Sequence, residues 1–238
     1  MDVIGDLVAR DRRTDDLAVR TDSRAGSYSY EKFCTNAWKT GNLLRHYGVR
    51  GGATVGIDAG ESLSPSSLLA LFGAGLLGAT ARFDPSDATD AKALVVPAER
   101  ADAYGAGPGT KTLVYGDVSE DPEVAHFEAE MWSENPTTPP DAVRPDESLL
   151  AAAEETFTHK RLLNASERVV AECDIDDGDE VAVRTPLTDP GTVVAGVLAP
   201  IRAGATVLVD PARTGTIAVA DEDGSAPESV SVNPSSVL

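Results

Sequence analysis

Several stretches of this 238-residue chain carry residue types at spacings that could do chemistry. Gly73-Ala74-Gly75-Leu76-Leu77-Gly78 spells G-x-G-x-x-G, a dinucleotide fingerprint when a strand precedes it and a helix opens after it. Here a helical apolar pattern precedes and an extended run, Ala79–Phe83, follows, so the small residues read as close packing of a helix end on a sheet. Gly105-Ala106-Gly107-Pro108-Gly109 is glycine-rich but lacks the Lys-Ser/Thr that grips phosphate, and reads as a turn. Asp174-Ile175-Asp176-Asp177-Gly178-Asp179 looks like a calcium loop, yet its twelfth position is Thr185 rather than Glu, which leaves a solvated acidic turn. His46, His126 and His159 stand apart, at no metal-ligand spacing, and read as surface or capping residues. Cys34 and Cys173 are too few for a framework and sit in helical patterns as small buried side chains. No G-x-S-x-G elbow offers a serine nucleophile. The motifs therefore yield no metal site and no catalytic residue.

Charge narrows the partners. Against 20 Lys+Arg stand 39 Asp+Glu, a net −19, which disfavours nucleic acid and anionic membranes. The acid is dispersed, and only five of the basic residues are lysine, the pattern expected of a halophilic, archaeal-type cytoplasmic protein kept soluble in concentrated salt. No apolar run reaches a membrane span. With 42% hydrophobic and 25% charged residues the composition is globular.

The elements that must position any site alternate in type. Short extended pieces at Leu17–Arg20 and Ser27–Tyr30 flank the turn Asp22–Gly26. Ser29 can cap a helix from about Tyr30 to Tyr47, with Phe33, Ala37, Gly41 and Leu44 on one face. Strand Ala53–Ile57 follows, then a helix opened by Ser64-Pro65, then strands at Ala79–Phe83, Ala93–Val96 and Thr112–Tyr115. Asp117–Pro145 reads as a surface connection, broken by Pro136-Thr137-Thr138-Pro139-Pro140. Beyond it come a strand near Ser148–Ala151, a helix from Thr158 or His159 to about Ala171, strand Glu180–Val183, helix Gly191–Arg202 and strand Thr206–Val209. This predicts an α/β fold, a mostly parallel sheet flanked by helices. One domain is expected over residues 1–213, with a Pro-rich connection at about 133–145 and a C-terminal tail or edge strand over 214–238.

The ordered series resembles the N-terminal part of the AMP-forming acyl-CoA synthetases of the adenylate-forming superfamily. Ser27-Tyr28-Ser29-Tyr30-Glu31-Lys32-Phe33, Asn42-Leu43-Leu44 and Gly48–Ile57 resemble its opening strand, long helix and first core strand. Leu69–Pro85, closing on Phe83-Asp84-Pro85, resembles the next helix and strand. Thr158–Asn164 looks like the helix after the family's phosphate loop, and Asp176–Val181, Thr185-Pro186-Leu187 and Val197–Val209 match later segments. The resemblance covers residues 17 to 211.

It also exposes departures. In the family the strand placed near Ser148–Ala151 runs into a Ser/Thr/Gly-rich loop ending in Pro-Lys-Gly that wraps the ATP phosphates. This chain has Ala151-Ala152-Ala153-Glu154-Glu155-Thr156-Phe157, with no glycine and two carboxylates that would repel phosphate. Lys160 lies beyond His159, in the following helix, and cannot serve as the loop lysine. Thr188-Asp189-Pro190 stands where the family places an aromatic or His residue. The family's adenine and ribose contacts, hinge and C-terminal domain have no counterpart in this sequence.

The resemblance thus implies a non-catalytic, synthetase-like protein acting as a binding or regulatory/scaffold subunit, with no catalytic position and no resident cofactor. The alternative is one subunit of a split AMP-forming acyl-CoA synthetase, a ligase using ATP, Mg and CoA and completed in trans. Self-association or association with another protein subunit is expected, because a fragment should leave apolar helix faces exposed. A surviving ligand site would lie at the C-terminal ends of the parallel strands, lined by Thr185, Pro186 and Leu187 and by residues 151–157.

Overall fold

The computed structural model describes residues 1–22, 26–60, 63–83, 85–87, 90–222 and 226–238. Most of the expected Asp22–Gly26 turn, and Asp84 of the Phe83-Asp84-Pro85 close, lie outside the described residues. In chain order the strands are β1 Leu17–Arg20, β2 Tyr28–Ser29, β3 Thr54–Ile57, β4 Thr80–Arg82, β5 Ala93–Pro97, β6 Lys111–Tyr115, β7 Ala125–His126, β8 Ser148–Ala152, β9 Glu155–Thr158, β10 Glu180–Val183, β11 Thr206–Leu208, β12 Ile217–Val219 and β13 Val230–Val232. The helices are α1 Tyr30–His46, α2 Pro65–Gly75, α3 Phe127–Ser133, α4 His159–Cys173, α5 Pro190–Val193 and α6 Ala199–Ala203. They divide into two compact units, a terminal one of Met1–Cys34 with His159–Leu238 and a central one of Thr35–Thr158.

The central unit holds a seven-stranded sheet in the order β7-β6-β5-β3-β4-β8-β9, parallel throughout except for the β8–β9 pair. Its central strand β5 is apolar on both faces, as a covered parallel sheet requires: every one of its residues is buried. Ser64 opens α2 as expected, its hydroxyl accepting from the Ser66 N–H, and all eleven residues of the helix are buried. Of the G-x-G-x-x-G stretch, Gly73 sits at a helix crossing, while α2 itself lies against β3, β4 and β5. A Cβ on Gly73 would lie 2.5 Å from Thr40 Cγ2, and one on Gly41 would lie 3.5 Å from the Gly73 carbonyl. The expected featureless connection at 117–145 is corrected too: it contains β7 and α3, the latter anchored by buried Phe127 and Met131 and capped by His126. Elements this short fall below the length at which periodicity separates from noise.

The terminal unit holds a six-stranded sheet, β13-β12-β10-β11-β1-β2, parallel except for β1–β2. Residues 214–238 supply β12 and β13, with β13 at one edge. The helix expected over Gly191–Arg202 is α5 and α6 joined by a π-helical turn, Val194–Leu198. Pro200 has no N–H to return to the carbonyl one turn earlier, and a widened turn accommodates that loss. Arg12 caps the end of α6, donating to the Ile201 and Arg202 carbonyls at 2.6 and 3.0 Å. Buried Tyr30 donates its hydroxyl to the Ala205 carbonyl at 2.8 Å.

Candidate functional site

The segment where a phosphate-wrapping loop was sought is a tight hairpin in the central unit. β8 lies on β4 with Ala81 opposite Leu150 and Arg82 opposite Ala151. β9 returns antiparallel, and Ala152 pairs with Glu155, so only Ala153 and Glu154 form the turn. Two-residue hairpin turns call for positive φ, and Ala153 has φ +47°. Arg82 on β4 donates to the Ala153 carbonyl at 3.0 Å and holds the tip down. Phe157 is buried, whereas Ala153, Glu154, Glu155 and Thr156 are exposed. A two-residue turn cannot present a concave row of backbone N–H groups, and two carboxylates at its tip oppose an anionic ligand. Lys160 is exposed one residue into α4, as the sequence implies.

Thr185, Pro186 and Leu187 follow β10 in the terminal unit. Thr185 and Leu187 are buried, and Pro186 is exposed. The Thr185 hydroxyl is satisfied by the buried Thr192 hydroxyl at 2.7 Å. The Pro186 carbonyl accepts from the Asp189 N–H, and the Asp189 carboxylate caps α5 by accepting from Gly191 N–H at 2.8 Å. This stretch therefore fastens the start of α5 to the end of β10. Residues 151–157, the other expected lining, belong to the central unit.

A polar cluster that sequence reasoning missed sits at the C-terminal ends of β3, β5 and β6. Asp58, buried just beyond β3, accepts from the Gly60 N–H at 2.8 Å and the Tyr104 hydroxyl at 2.6 Å, and pairs with Arg100 at 3.1 Å. Its carbonyl accepts from the Tyr115 hydroxyl at 2.8 Å. Burial, with the Asp58 charge beside it, pushes the Tyr115 phenol well above its ordinary value, so it stays a hydrogen-bond donor. Close by in the unit, Glu128 accepts from the Ser66 hydroxyl at 2.7 Å and lies 3.8 Å from His126. β3 and β5 are adjacent while their successors β4 and β6 lie on opposite sides, which makes their C-terminal ends a topological switch point. The one sequence signal for this cluster was an Asp immediately after an apolar strand run.

A second missed feature is the pair Arg184–Glu228 in the terminal unit. Glu228 is fully enclosed, and Arg184 makes a bidentate contact to it while donating to the carbonyls of Pro211 and Arg213 at 3.1 and 2.9 Å. Glu228 also accepts from Gly215 N–H at 3.0 Å, and the hydrogen bonds from Arg184 hold its carboxyl below the usual range. The pair ties the β11–β12 connection and the approach to β13 to the end of β10.

The remaining chemical candidates resolve structurally. His159 is buried, not at the surface, and its Nδ1 accepts from Ile4 N–H at 3.1 Å, which fixes the N-terminal turn. His126 caps α3 through Nδ1. Burial raises the Cys34 thiol to about 11, which makes it a poor nucleophile, and Cys173 is only half-buried. Asp176 and Asp179 accept turn N–H groups, consistent with an acidic turn. Among the described residues no cluster of three or more His, Cys, Asp or Glu could hold a metal ion. No helix among them is long and apolar enough to cross a membrane.

Both sheets and their connections have the architecture of the N-terminal part of the adenylate-forming acyl- and aryl-CoA ligases. The anthranilate CoA ligase AuaEII, solved with anthranoyl-AMP, superposes with a TM-score of 0.78 at 17% identity over 92% of this chain and 49% of that one. The N-terminal domain of FACL13 from Mycobacterium tuberculosis gives 0.74 at 18% identity, over 92% of this chain and 63% of that one. A benzoate CoA ligase from Burkholderia xenovorans LB400 gives 0.72 at 16%, over 92% and 50%. The chain thus spans about half the length of the two ligases. At these identities the likeness is one of fold. No protein-family model matches the sequence, and no curated protein matches it.

Proposed function

We propose that this chain is a non-catalytic, acyl-CoA-synthetase-like protein that acts as a binding or regulatory/scaffold subunit. The observation that carries this reading is the β8–β9 hairpin. Its two-residue turn, closed by Arg82 and tipped by Glu154 and Glu155, stands where the resembled family wraps the ATP phosphates. Stabilising the charge that develops at a transferring phosphate needs preorganised N–H donors and a cation. The hairpin tip offers exposed carboxylates instead. The split-synthetase reading would still need its phosphate loop in this part of the fold, so the same hairpin weighs against it.

Association with another subunit belongs to this reading, but its expected basis changes. Apolar helix faces are not left bare: among the described residues the exposed large apolar side chains are Met1, Val118, Trp132, Val230 and Leu238, and only Trp132 lies on a helix. Contacts to a partner would therefore be largely polar. The test is acyl-dependent exchange of pyrophosphate into ATP by the purified chain, across aryl and aliphatic acids. No exchange with any acid is expected, and exchange above background with one of them would overturn the reading.

A further inference from the structure

Asn233-Pro234-Ser235 is a ready-made cap, because asparagine accepts from a first-turn N–H and proline arrives with its φ already set. It opens a single 3-10 turn, Pro234–Ser236, just past the edge strand β13. The turn satisfies itself. Asn233 Oδ1 accepts from the Ser235 N–H at 3.0 Å, and the Asn233 carbonyl from the Ser236 N–H and hydroxyl at 3.1 and 2.8 Å. The Pro234 carbonyl accepts from the Val237 N–H at 3.1 Å. Towards the rest of the terminal unit the turn offers the Val237 carbonyl, which accepts from Arg168 on α4 at 2.8 Å. Pro234 and Val237 are the side chains it buries.

What it covers is the start of α5. A Cβ built on Gly191 would lie 2.0 Å from the Pro234 carbonyl oxygen and 2.6 Å from its carbon, so backbone rests on backbone. α5 is fixed independently: Asp189 caps Gly191, Thr192 meets Thr185, and the helix runs on through its π turn into α6. We infer that residues 233–237 are a preformed strap that closes the terminal unit where β10 runs into α5, and that lifts as one piece while the sheet stays intact. Lifting breaks the bond from Arg168, an exposed side chain that water satisfies, and parts the apolar contacts of two side chains. The turn's own hydrogen bonds travel with it. A segment held this way opens locally, well before the whole fold does. The raised strap uncovers the start of α5, at the strand ends where α/β sheets meet their ligands.

The experiment puts a thiol on the strap, Val237→Cys in a Cys173→Ser background, and follows its reaction with a disulfide reagent by mass spectrometry. Urea runs from zero to just below the unfolding transition, and Cys34, fully buried in the same unit, is the internal reference. The introduced thiol should react at least about 100-fold faster than Cys34, at a rate nearly flat in urea because local opening exposes little surface. Adding Gly191→Ala, whose methyl cannot share space with the Pro234 carbonyl, should raise that rate about tenfold and leave the urea midpoint little changed. A rate that climbs with urea in step with Cys34, or one that Gly191→Ala leaves unchanged, would overturn the inference. As a second arm, the chain without residues 233–238 should still unfold cooperatively. Loss of cooperative folding, in that chain or on Gly191→Ala, would make the turn a part of the fold and overturn the inference equally.

Discussion

The guanidinium of Arg82, on β4, donates to the carbonyl of Ala153 at the tip of the β8–β9 hairpin, 3.0 Å away. That bond holds an alanine at φ +47°, a conformation that costs an L-residue about 1 kcal/mol. Ala153→Gly should relieve this strain and, net of the extra freedom glycine gives the unfolded chain, leave stability unchanged or raise it by up to about 0.5 kcal/mol. Urea unfolding measures it, and a destabilised variant would show that the turn is not strained.

Replacing residues 151–157 with a Gly/Ser/Thr-rich loop ending in Pro-Lys-Gly should not create adenylation. The loop would supply N–H donors and one cation, while the resembled family's adenine and lysine contributions, which the resemblance carries onto no residue of this sequence, would still be wanting. The variant alone should give no acyl-dependent pyrophosphate exchange. Measurable exchange would mean that the rest of a nucleotide site is present.

Gly73→Ala should destabilise by about 1–3 kcal/mol, because the new methyl meets Thr40 Cγ2 at 2.5 Å and the Gly41 nitrogen at 3.0 Å where α1 and α2 cross. Adding Thr40→Ser removes the shortest of the three close contacts, leaving Thr40 Cβ and the Gly41 nitrogen at 3.0 Å, and keeps the hydroxyl near Met131 Sδ. The double variant should recover part of the loss in chemical unfolding. Full additivity of the two changes would contradict this crossing.

Glu228 should make stability fall in acid. Its carboxyl is held below the ordinary value of 4.5, chiefly by hydrogen bonds from Arg184. A depressed carboxylate contributes fully above the unfolded-state value and loses that contribution as pH falls through the lowered folded value. The fall should therefore begin near about pH 4.5. Glu228→Gln should cost about 1–2 kcal/mol at neutral pH, because it removes the counter-charge of the part-exposed Arg184 and leaves it carbonyl partners and water. It should also flatten the acid limb of the stability curve, and an acid limb identical to that of the unchanged chain would remove Glu228 as its source.

How far the fold was legible can be traced through its elements. Ser64-Pro65 and the apolar run after it announced α2, and the bare apolar runs of β3 and β5 announced buried parallel strands, because caps and periodicity are local signals. β7 and α3 went unseen since neither spans enough residues to show a period, and tertiary burial of Phe127 and Met131 fixes them instead. The hairpin was half legible: the absence of glycine at 151–157 was plain, but the return strand depends on pairing between Ala152 and Glu155. The Asp58 network showed in the sequence only as an Asp after a strand run, and the Arg184–Glu228 pair not at all, because their partners come from distant segments that only the folded sheets bring together. Thr185, by contrast, was visible by its place after β10, yet its hydroxyl is turned inward to Thr192.

On the proposed reading, the β8–β9 hairpin leaves no seat for nucleotide phosphates. The most direct test is the unfolding midpoint of the purified chain with and without Mg-ATP, and with a non-hydrolysable acyl-adenylate. Ligand at about a hundred times its dissociation constant adds about 2.7 kcal/mol, a shift of several degrees for a domain of this size. No shift with either ligand, in a sample that unfolds cooperatively, is the predicted result. A saturable rise of several degrees with Mg-ATP would contradict it and would show that the folded chain holds a nucleotide site.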